Sequence, residues 1–368
     1  MSTEMRHDAV IVGSGAGGAA AAYELTRLGL SVLVLEAGPR FDPSTDYPHD
    51  KPGWERRRFP RKDGSVADIR YGDLGRLDPA DAALQSWNAV QGRPAPPRRR
   101  EPGAGYAHVR GVGGSTLHYV GEAHRLHEAS FSLASKHGAG SDWPLNYADL
   151  APFYLQAEKI IGVAGPQTQA GRPRSAPFPF AAHPLNTAAQ RLVGAGATLG
   201  LPFEANSRAA LPAPHDGRPP CNYCGQCSRG CPIGDKGSAD QTFLRRAART
   251  GRMTLIAEAT VLRLHPGRDG GVAALEYRHG DRIHRQETPV LILAAGAVQT
   301  PRLLLHSAAA ETPQGIANGS GEVGRNFMET LSWHGTGLVA GLRDSHMGLP
   351  ADAVCWARND PAGVPGAV

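Results

Sequence analysis

The sequence predicts an α/β fold in which a parallel sheet is doubly wound, joined by a second domain that is discontinuous and incomplete. Two stretches favour this fold. Residues 8–38 have the order strand, glycine-rich turn, helix and strand, and residues 289–306 have the order strand, small-residue turn and helix. The composition is 41% hydrophobic and 20% charged over 368 residues, which is globular and large enough for two substantial domains.

The first βαβ unit has strands predicted over 9–12 and 31–35, a helix over 19–27, and an acidic residue, Glu36, after the second strand. Its turn carries three glycines at G-x-G-x-x-G spacing, namely Gly13, Gly15 and Gly18. Glycines at this spacing permit a tight turn, close approach of backbone to a pyrophosphate, and close packing of helix on strand. The helix N-terminus favours phosphate, and Glu36 can accept hydrogen bonds from ribose hydroxyls. The unit therefore predicts a dinucleotide site; the alternative is a βαβ unit with no ligand.

The βαβ unit alone does not separate NAD from FAD. It begins within ten residues of the start, and Glu36 is followed by Ala37 and Gly38. This arrangement is more usual in FAD proteins, so FAD is the favoured cofactor.

The net charge of +5 comes from clustered basic residues, with arginine runs at 56–58 and 98–100. Such runs indicate solvated loop surface, with acidic partners as the alternative. No aromatic residues are interleaved in the pattern of a nucleic-acid site, so nucleic-acid binding is not expected. No apolar run approaches 18 residues and no secretory signal is visible, which predicts a cytoplasmic protein without a membrane span. An exporting or membrane-anchored partner subunit would change that location.

The next elements are predicted from turn residues, caps and apolar alternation. Residues 39–103 indicate loops and short helices. A glycine-rich turn at 111–114, followed by the hydroxyls of Ser115 and Thr116, predicts a second cofactor contact. The later elements are helices at 142–164 (after an Asn146 cap), 184–200 and 238–249, strands at 253–264 and 289–296, a hairpin at 273–278 and 282–287, a helix from 297 with Pro301 in its first turn, and a strand at 333–341.

Four cysteines follow the spacing C-x2-C-x2-C-x3-C-P, namely Cys221, Cys224, Cys227 and Cys231. Bacterial ferredoxins use this run for iron–sulfur clusters. Three ligands would hold a three-iron cluster, and Cys231 or the distant Cys355 would complete four. Free or structural thiols, zinc and disulfides are the alternatives. Zinc sites usually pair two separated knuckles, and disulfides do not suit a cytoplasmic chain.

Four stretches, in this order along the chain, resemble the glucose–methanol–choline (GMC) oxidoreductases, which are FAD-dependent enzymes acting on alcohols and sugars. They are residues 13–36, 113–116, 295–304 and 323–326. The resemblance covers essentially the whole chain and implies a Rossmann-like FAD-binding domain. The cysteine run with residues 234–244 is similar to a branch containing bacterial sugar and polyol dehydrogenases. Some of those carry a three-iron cluster that passes electrons to a partner cytochrome.

The resemblance implies that a base takes the alcohol proton while hydride passes from carbon to flavin N5. The resemblance also implies that Val261 lies beside the adenine of the cofactor. It also adds His118, where one branch links its flavin covalently, although packing near the flavin is favoured here. The predicted cofactor-binding residues are Gly13, Ser14, Gly15, Ala16, Gly18, Glu36, Ala37, Gly113, Gly114, Ser115, Thr116, His118, Val261, Ala295 and Gly296. A small-molecule alcohol or sugar substrate and an electron-accepting partner protein follow from the same resemblance.

The predicted domains are a first FAD-binding part (1–132), an insertion with the cysteine run (133–235), a second FAD-binding part (236–330) and the start of a substrate domain (331–368). The family places its catalytic histidine in a C-terminal segment, which this chain is expected to lack as a fragment. None of its 15 histidines is therefore assigned as the base. A non-catalytic flavin-binding or electron-transfer module and an NAD-dependent dehydrogenase remain alternatives. The sequence does not decide whether the protein is an oxidase or a dehydrogenase, which substrate it uses, or its oligomeric state.

Overall fold

A computed structural model describes residues 6–47, 87–89, 107–138, 140–167, 174–267, 270–327, 339–344 and 347–357. The chain divides into two compact units. The first comprises Met1–His118 and Ser238–Thr336, and the second Tyr119–Gly237 and Gly337–Val368. Relative to the predicted domains, this division differs most in placing residues 119–132 with the second unit.

The first unit is built on a four-stranded parallel sheet of order β12-β1-β2-β8. Its strands are β1 (Ala9–Val12), β2 (Val32–Leu35), β8 (Met253–Ile256) and β12 (Leu291–Leu293). Both β1 and β2 are buried along their whole length, as the continuous apolar runs predict for parallel strands covered on both faces. The Rossmann-like fold predicted from the sequence is confirmed.

The side chains of β1 alternate between two hydrophobic cores. Val10 and Val12 pack on one face, with the helix Gly296–His306 (here α7) and an antiparallel sheet. Ile11 packs on the other face, with α1 (Ala16–Arg27) and α6 (Phe243–Arg249). This period-2 alternation lets a four-residue strand contribute to both cores.

Helix α1 begins at Ala16, three residues before the predicted start, so Gly18 lies in its first turn. Small residues, Ala19 and Ala22, face the sheet and are fully buried. They let the helix axis lie close to β1. Gly29, with φ of +93°, ends the helix region and turns the chain into β2.

The prediction of one strand over 253–264 is wrong, because two strands of different sheets occupy it. β8 ends at Ile256, and β9 (Ala259–Pro266) pairs in an antiparallel sheet of order β11-β10-β9. Glu258 between them has φ of +54°, which redirects the chain, and its N–H donates to Gly38 O at 2.9 Å. The predicted hairpin is confirmed as β10 (Val272–His279) and β11 (Arg282–Glu287).

Pro301 is also placed differently from its prediction. Helix α7 starts at Gly296, so Pro301 lies inside it rather than in the first turn. A proline there removes one internal hydrogen bond. Three short elements among the described residues also belong to this unit: α2 (Pro43–Asp46) and the ribbon of β3 (Trp87–Ala89) with β4 (Ala107–Val109).

The second unit contains α3 (Leu133–His137), α4 (Tyr147–Ile161) and α5 (Thr187–Thr198). The predicted Asn146 cap of α4 is confirmed as a capping box with Asp149. Two short strand pairs accompany these helices, β5 (Ala164–Gly165) with β6 (Phe180–Ala181) and β7 (Glu204–Ala205) with β13 (Ala353–Val354).

A buried ion triad lies at α4. Glu158 accepts bidentate hydrogen bonds from Arg125, at 2.7 and 2.9 Å, and from Arg174, at 2.8 and 2.6 Å. Burial by itself raises the pKa of Glu158. The hydrogen bonds and charges of the two arginines outweigh burial, so that pKa is lowered.

Two predictions fall on parts of the chain that the structure does not describe: most of the loop region at 39–103 and nearly all of the strand at 333–341. Among the helices that the structure describes, none has both the length and the apolar character required to cross a bilayer.

Candidate cofactor site

A cavity of about 620 Å³ opens in the first unit, where β1, β2 and β12 end. Ligands of open parallel sheets bind at the carboxyl ends of the strands. The predicted residues lining it are Gly13, Gly15, Ala16, Glu36, Ala37, Gly114, Ser115, Thr116, Val261, Ala295 and Gly296. The βαβ turn, the second glycine-rich loop and the turn after β12, which are far apart in sequence, therefore form one site.

Glycine is required at the turn for steric reasons. Gly13 has φ of +95°, and a Cβ there would lie 2.5 Å from Ala294 O. A Cβ on Gly18 would lie 1.9 Å from Gly13 O. A Cβ on Gly114 would lie 2.7 Å from the Cα of Gly15, so the two glycine-rich loops approach each other through bare backbone. Because these glycines carry no side chains, a ligand can approach the backbone of the turn closely.

Two helices begin at the cavity. The N-cap residues of α1 and α7 are Gly15 and Ala295, and neither offers a side chain to the free N–H groups. Ala16 and Gly296, the first helical residues, line the cavity. Unsatisfied N–H groups and the positive ends of two helix dipoles suit a pyrophosphate.

Glu36 is buried at the end of β2 and holds the turn in place. Its Oε2 accepts from the N–H of Ser14 at 3.0 Å and from the Ser14 hydroxyl at 2.6 Å, and its Oε1 accepts from Gly38 N–H at 2.9 Å. The Ser14 hydroxyl in turn accepts from Gly113 N–H at 3.1 Å. A carboxylate offers about four acceptor positions, so about one remains for a ribose hydroxyl.

Four of the predicted residues lie behind the cavity wall rather than in it. Ser14 and Gly113 connect the two loops, and Gly18 packs α1 on the turn. His118 is buried just after the 3₁₀ helix Gly114–Leu117, and its N–H donates to Ser115 O at 3.2 Å. Residues 323–326, one of the four stretches that resemble the family, contribute none of the described lining residues.

Several polar residues that line the cavity were not predicted from the sequence, namely Arg110, Thr260, Arg278, Gln299 and Arg302. Arg302 and Gln299 lie one turn apart on α7, with Arg302 Nε donating to Gln299 Oε1 at 2.5 Å. Among the described lining residues three arginines face one acid, Glu36, which favours an anionic ligand. Proximity to the motifs indicates Arg110 and Arg302, whereas no sequence signal indicates Arg278.

The cysteine run lies in the second unit, and none of the five cysteines, all described, forms a disulfide. The Cys231 thiol donates to Asp235 Oδ1 at 2.8 Å. Burial, together with Asp235, raises the pKa of the Cys231 thiol to about 12, and burial also raises the pKa of Cys227. Cys224 is exposed. In the part of the chain that the structure describes, no three Cys, His, Asp or Glu side chains are arranged to hold a metal ion. The thiols as placed do not fit a cluster.

Comparison with known proteins gives two family matches. The model described as GMC oxidoreductase matches residues 110–331, and that of an NAD(P)-binding Rossmann-like domain matches residues 11–52. The fructose dehydrogenase large subunit of Gluconobacter japonicus is 31% identical over 89% of this chain and 59% of its own length. Paromamine 6'-oxidase of Streptomyces fradiae is 31% identical over 90% of this chain and 55% of its own length.

A third relative, 2-methyl-1,2-propanediol dehydrogenase of Mycolicibacterium austroafricanum, is 29% identical over 88% of this chain and 55% of its own length. The chain thus spans between half and three-fifths of these relatives. Among solved structures, pyridoxine 4-oxidase from Mesorbium loti aligns with 82% of this chain and 52% of its own, at 19% identity and a TM-score of 0.49.

Proposed function

The chain belongs to the GMC oxidoreductase family, and on that premise we propose that it is an FAD-dependent oxidoreductase acting on CH–OH groups of alcohols, polyols or sugars, with hydride passing to flavin N5. The observation that carries the proposal is the cavity at the strand ends, where two helices begin without a capping side chain and where the described lining includes three arginines. That chemistry suits the pyrophosphate of a dinucleotide, and family membership supports FAD. Its relatives include a sugar dehydrogenase and a diol dehydrogenase.

In this proposal FAD supplies the redox chemistry, and the chain's residues bind and orient it. The first turns of α1 and α7 hold the pyrophosphate. Glu36 holds a ribose hydroxyl with its remaining acceptor position. The loop from Gly114 to Thr116 borders the flavin, and Val261 borders the adenine. These roles rest on the family resemblance together with the presence of each residue in the cavity lining.

A base for the alcohol proton is not assigned. No histidine occurs among the described residues lining the cavity, and Glu36 is committed to Ser14 and Gly38. This observation favours one second candidate, a flavin-binding or electron-transfer module that does not itself oxidise substrate. The two candidates share the cofactor and differ in whether an alcohol reduces it.

The electron acceptor is a further part of the proposal. Relatives are named both as dehydrogenases and as oxidases, and one is a large subunit. An electron-accepting partner remains a prediction from the family resemblance. An iron–sulfur cluster on Cys221, Cys224, Cys227 and Cys231 remains a prediction from the cysteine spacing, and the cytoplasmic location also remains a prediction. Because the thiols as placed do not fit a cluster, no electron path is drawn through them.

Reconstitution tests the proposal directly. The full chain is purified, titrated with FAD and separately with NAD, and each complex is freed of excess ligand before its visible spectrum is recorded under anaerobic conditions. Retained flavin bands, with no NAD retained, are expected. An NAD complex without flavin binding would contradict the proposal.

Substrate reduction then separates the two candidates. Bleaching of the bound flavin by sugars, polyols or short diols, added one at a time without oxygen, is expected for the enzyme. Flavin that dithionite bleaches but no alcohol bleaches would favour the non-catalytic module.

A further inference from the structure

One end of the cavity is formed by the antiparallel sheet of the first unit. Ala259, Thr260 and Val261 of β9 line it, and Arg278 of β10 lies directly across from Thr260 in the register. Arg278 belongs to none of the motifs that predicted the site. Arg278 is exposed and lines the cavity, and among the described residues no hydrogen-bond or ion-pair partner is found for it.

The residues that neighbour Arg278 in the cavity lining indicate which part of the cofactor it would contact. The pyrophosphate is expected at Gly15 and the start of α1, and the adjoining ribose at Glu36. Backbone hydrogen bonds fix β9 next in line, since the N–H of Ala259 donates to Glu36 O at 2.8 Å. The group beyond the ribose in FAD is adenine. The adenine is therefore expected beside β9, at the register pair of Thr260 and Arg278.

We propose that Arg278 is a specificity-determining residue for the adenine half of the cofactor, stacking its guanidinium on the purine ring. The proposal rests on the FAD binding proposed above, and it concerns binding rather than catalysis. A guanidinium is planar and weakly hydrated, so it stacks on an aromatic face where an ammonium group does not. Thr260, directly across from Arg278 in the register, has its side chain on the same face of the sheet and also lines the cavity.

ADP is the probe that isolates this half, because it carries adenine, ribose and pyrophosphate without flavin. Calorimetric titrations of the full chain with ADP and with FAD are compared for the wild type, Arg278→Ala, Arg278→Lys and Arg282→Ala. Arg282 is the matched control: it is an exposed arginine of the neighbouring strand and is not among the described lining residues.

We expect Arg278→Ala to weaken ADP and FAD binding about tenfold, the effect typical of losing one base-stacking contact. Arg278→Lys is expected to weaken both almost as much, because it keeps the charge and loses the planar group. Arg282→Ala should bind like the wild type. The slope of affinity against salt should be the same for Arg278→Lys and wild type, since the charge is unchanged.

Wild-type affinity for ADP in a folded Arg278→Ala variant would overturn the inference, as would full affinity in Arg278→Lys or an equal loss in Arg282→Ala. Thermal unfolding of each variant checks that it is folded. A wild-type chain that binds neither FAD nor ADP would instead overturn the proposed function. The two failures are therefore distinguishable.

Discussion

The substitution Gly18→Ala tests whether the packing of α1 on the glycine-rich turn depends on the absence of a single methyl group. A Cβ placed there would lie 1.9 Å from the carbonyl oxygen of Gly13 and 3.2 Å from the Cβ of Ala294. The nearer contact is backbone, so no side-chain rotation relieves it and α1 must move away. Overpacking of this kind costs about 1–3 kcal/mol.

Gly17→Ala is the matched control, because an added Cβ at this adjacent residue of the same helix meets no atom within 4 Å. Both substitutions restrict the unfolded chain equally and introduce the best helix former, which together favour the folded state by about 0.5–1 kcal/mol. These effects cancel when the two variants are compared. The difference between them is therefore the steric cost alone, about 1–3 kcal/mol.

Thermal unfolding of the ligand-free chain, followed by circular dichroism, measures this difference. Gly17→Ala should unfold slightly above the wild type, and Gly18→Ala below it, with the two midpoints separated by on the order of 5 °C. FAD titration should also show weaker binding for Gly18→Ala, because α1 presents its N-terminus to the ligand. Equal midpoints, or a Gly18→Ala variant more stable than the wild type, would refute the packing argument.

Three further predictions concern other parts of the chain. Gly114→Ala should weaken FAD binding more than tenfold in a titration, since its Cβ would lie 2.7 Å from the backbone of the first turn. Gly138→Ala is the control for backbone strain, because Gly138 has a similar positive φ but open space around it. Glu158→Gln should destabilise the fold by about 3 kcal/mol, measured by urea unfolding, by breaking a buried triad. The pKa of Glu158 is lowered in the folded state, so the stability that its ionised form contributes should be lost as the pH falls below the ordinary value of 4.5 and through the folded pKa. Glu158→Gln, which has no carboxyl group at this position, should not show this loss. Iodoacetamide at neutral pH should label the exposed Cys224 before the buried Cys231, as peptide mass spectrometry would show; rapid labelling of Cys231 would contradict its burial.

The sequence was sufficient wherever an element is determined by its own residues. The β1–α1–β2 unit follows from apolar runs and glycine spacing, and the start of α4 follows from a single asparagine cap. The three loops around the cavity were also predicted, because each carries glycine or other small residues in a short turn. In each case the information lies within one continuous stretch of the chain.

The features that the sequence did not predict depend on contacts between distant segments. The break between β8 and β9 occurs at Glu258, whose positive φ is supported by a hydrogen bond to Gly38, more than 200 positions earlier. Periodicity continues across the break, so it conceals the change of sheet. Arg278 enters the site in the same way, by its register opposite Thr260 rather than by any motif.

The cysteine run shows most clearly that residue spacing alone does not determine whether a cluster binds. Cluster binding requires thiolates that converge on one point, and the C-x2-C-x2-C-x3-C spacing makes convergence possible. Asp235, four residues beyond the last cysteine, instead accepts a hydrogen bond from the Cys231 thiol and stabilises its protonated form. A cluster that used Cys231 as a ligand would require this thiol to lose its proton and turn away from the carboxylate. Burial and the negative charge of Asp235 both oppose that proton loss, so replacing Asp235 by Asn is expected to lower the pKa of the Cys231 thiol, as titration of thiol reactivity against pH would measure.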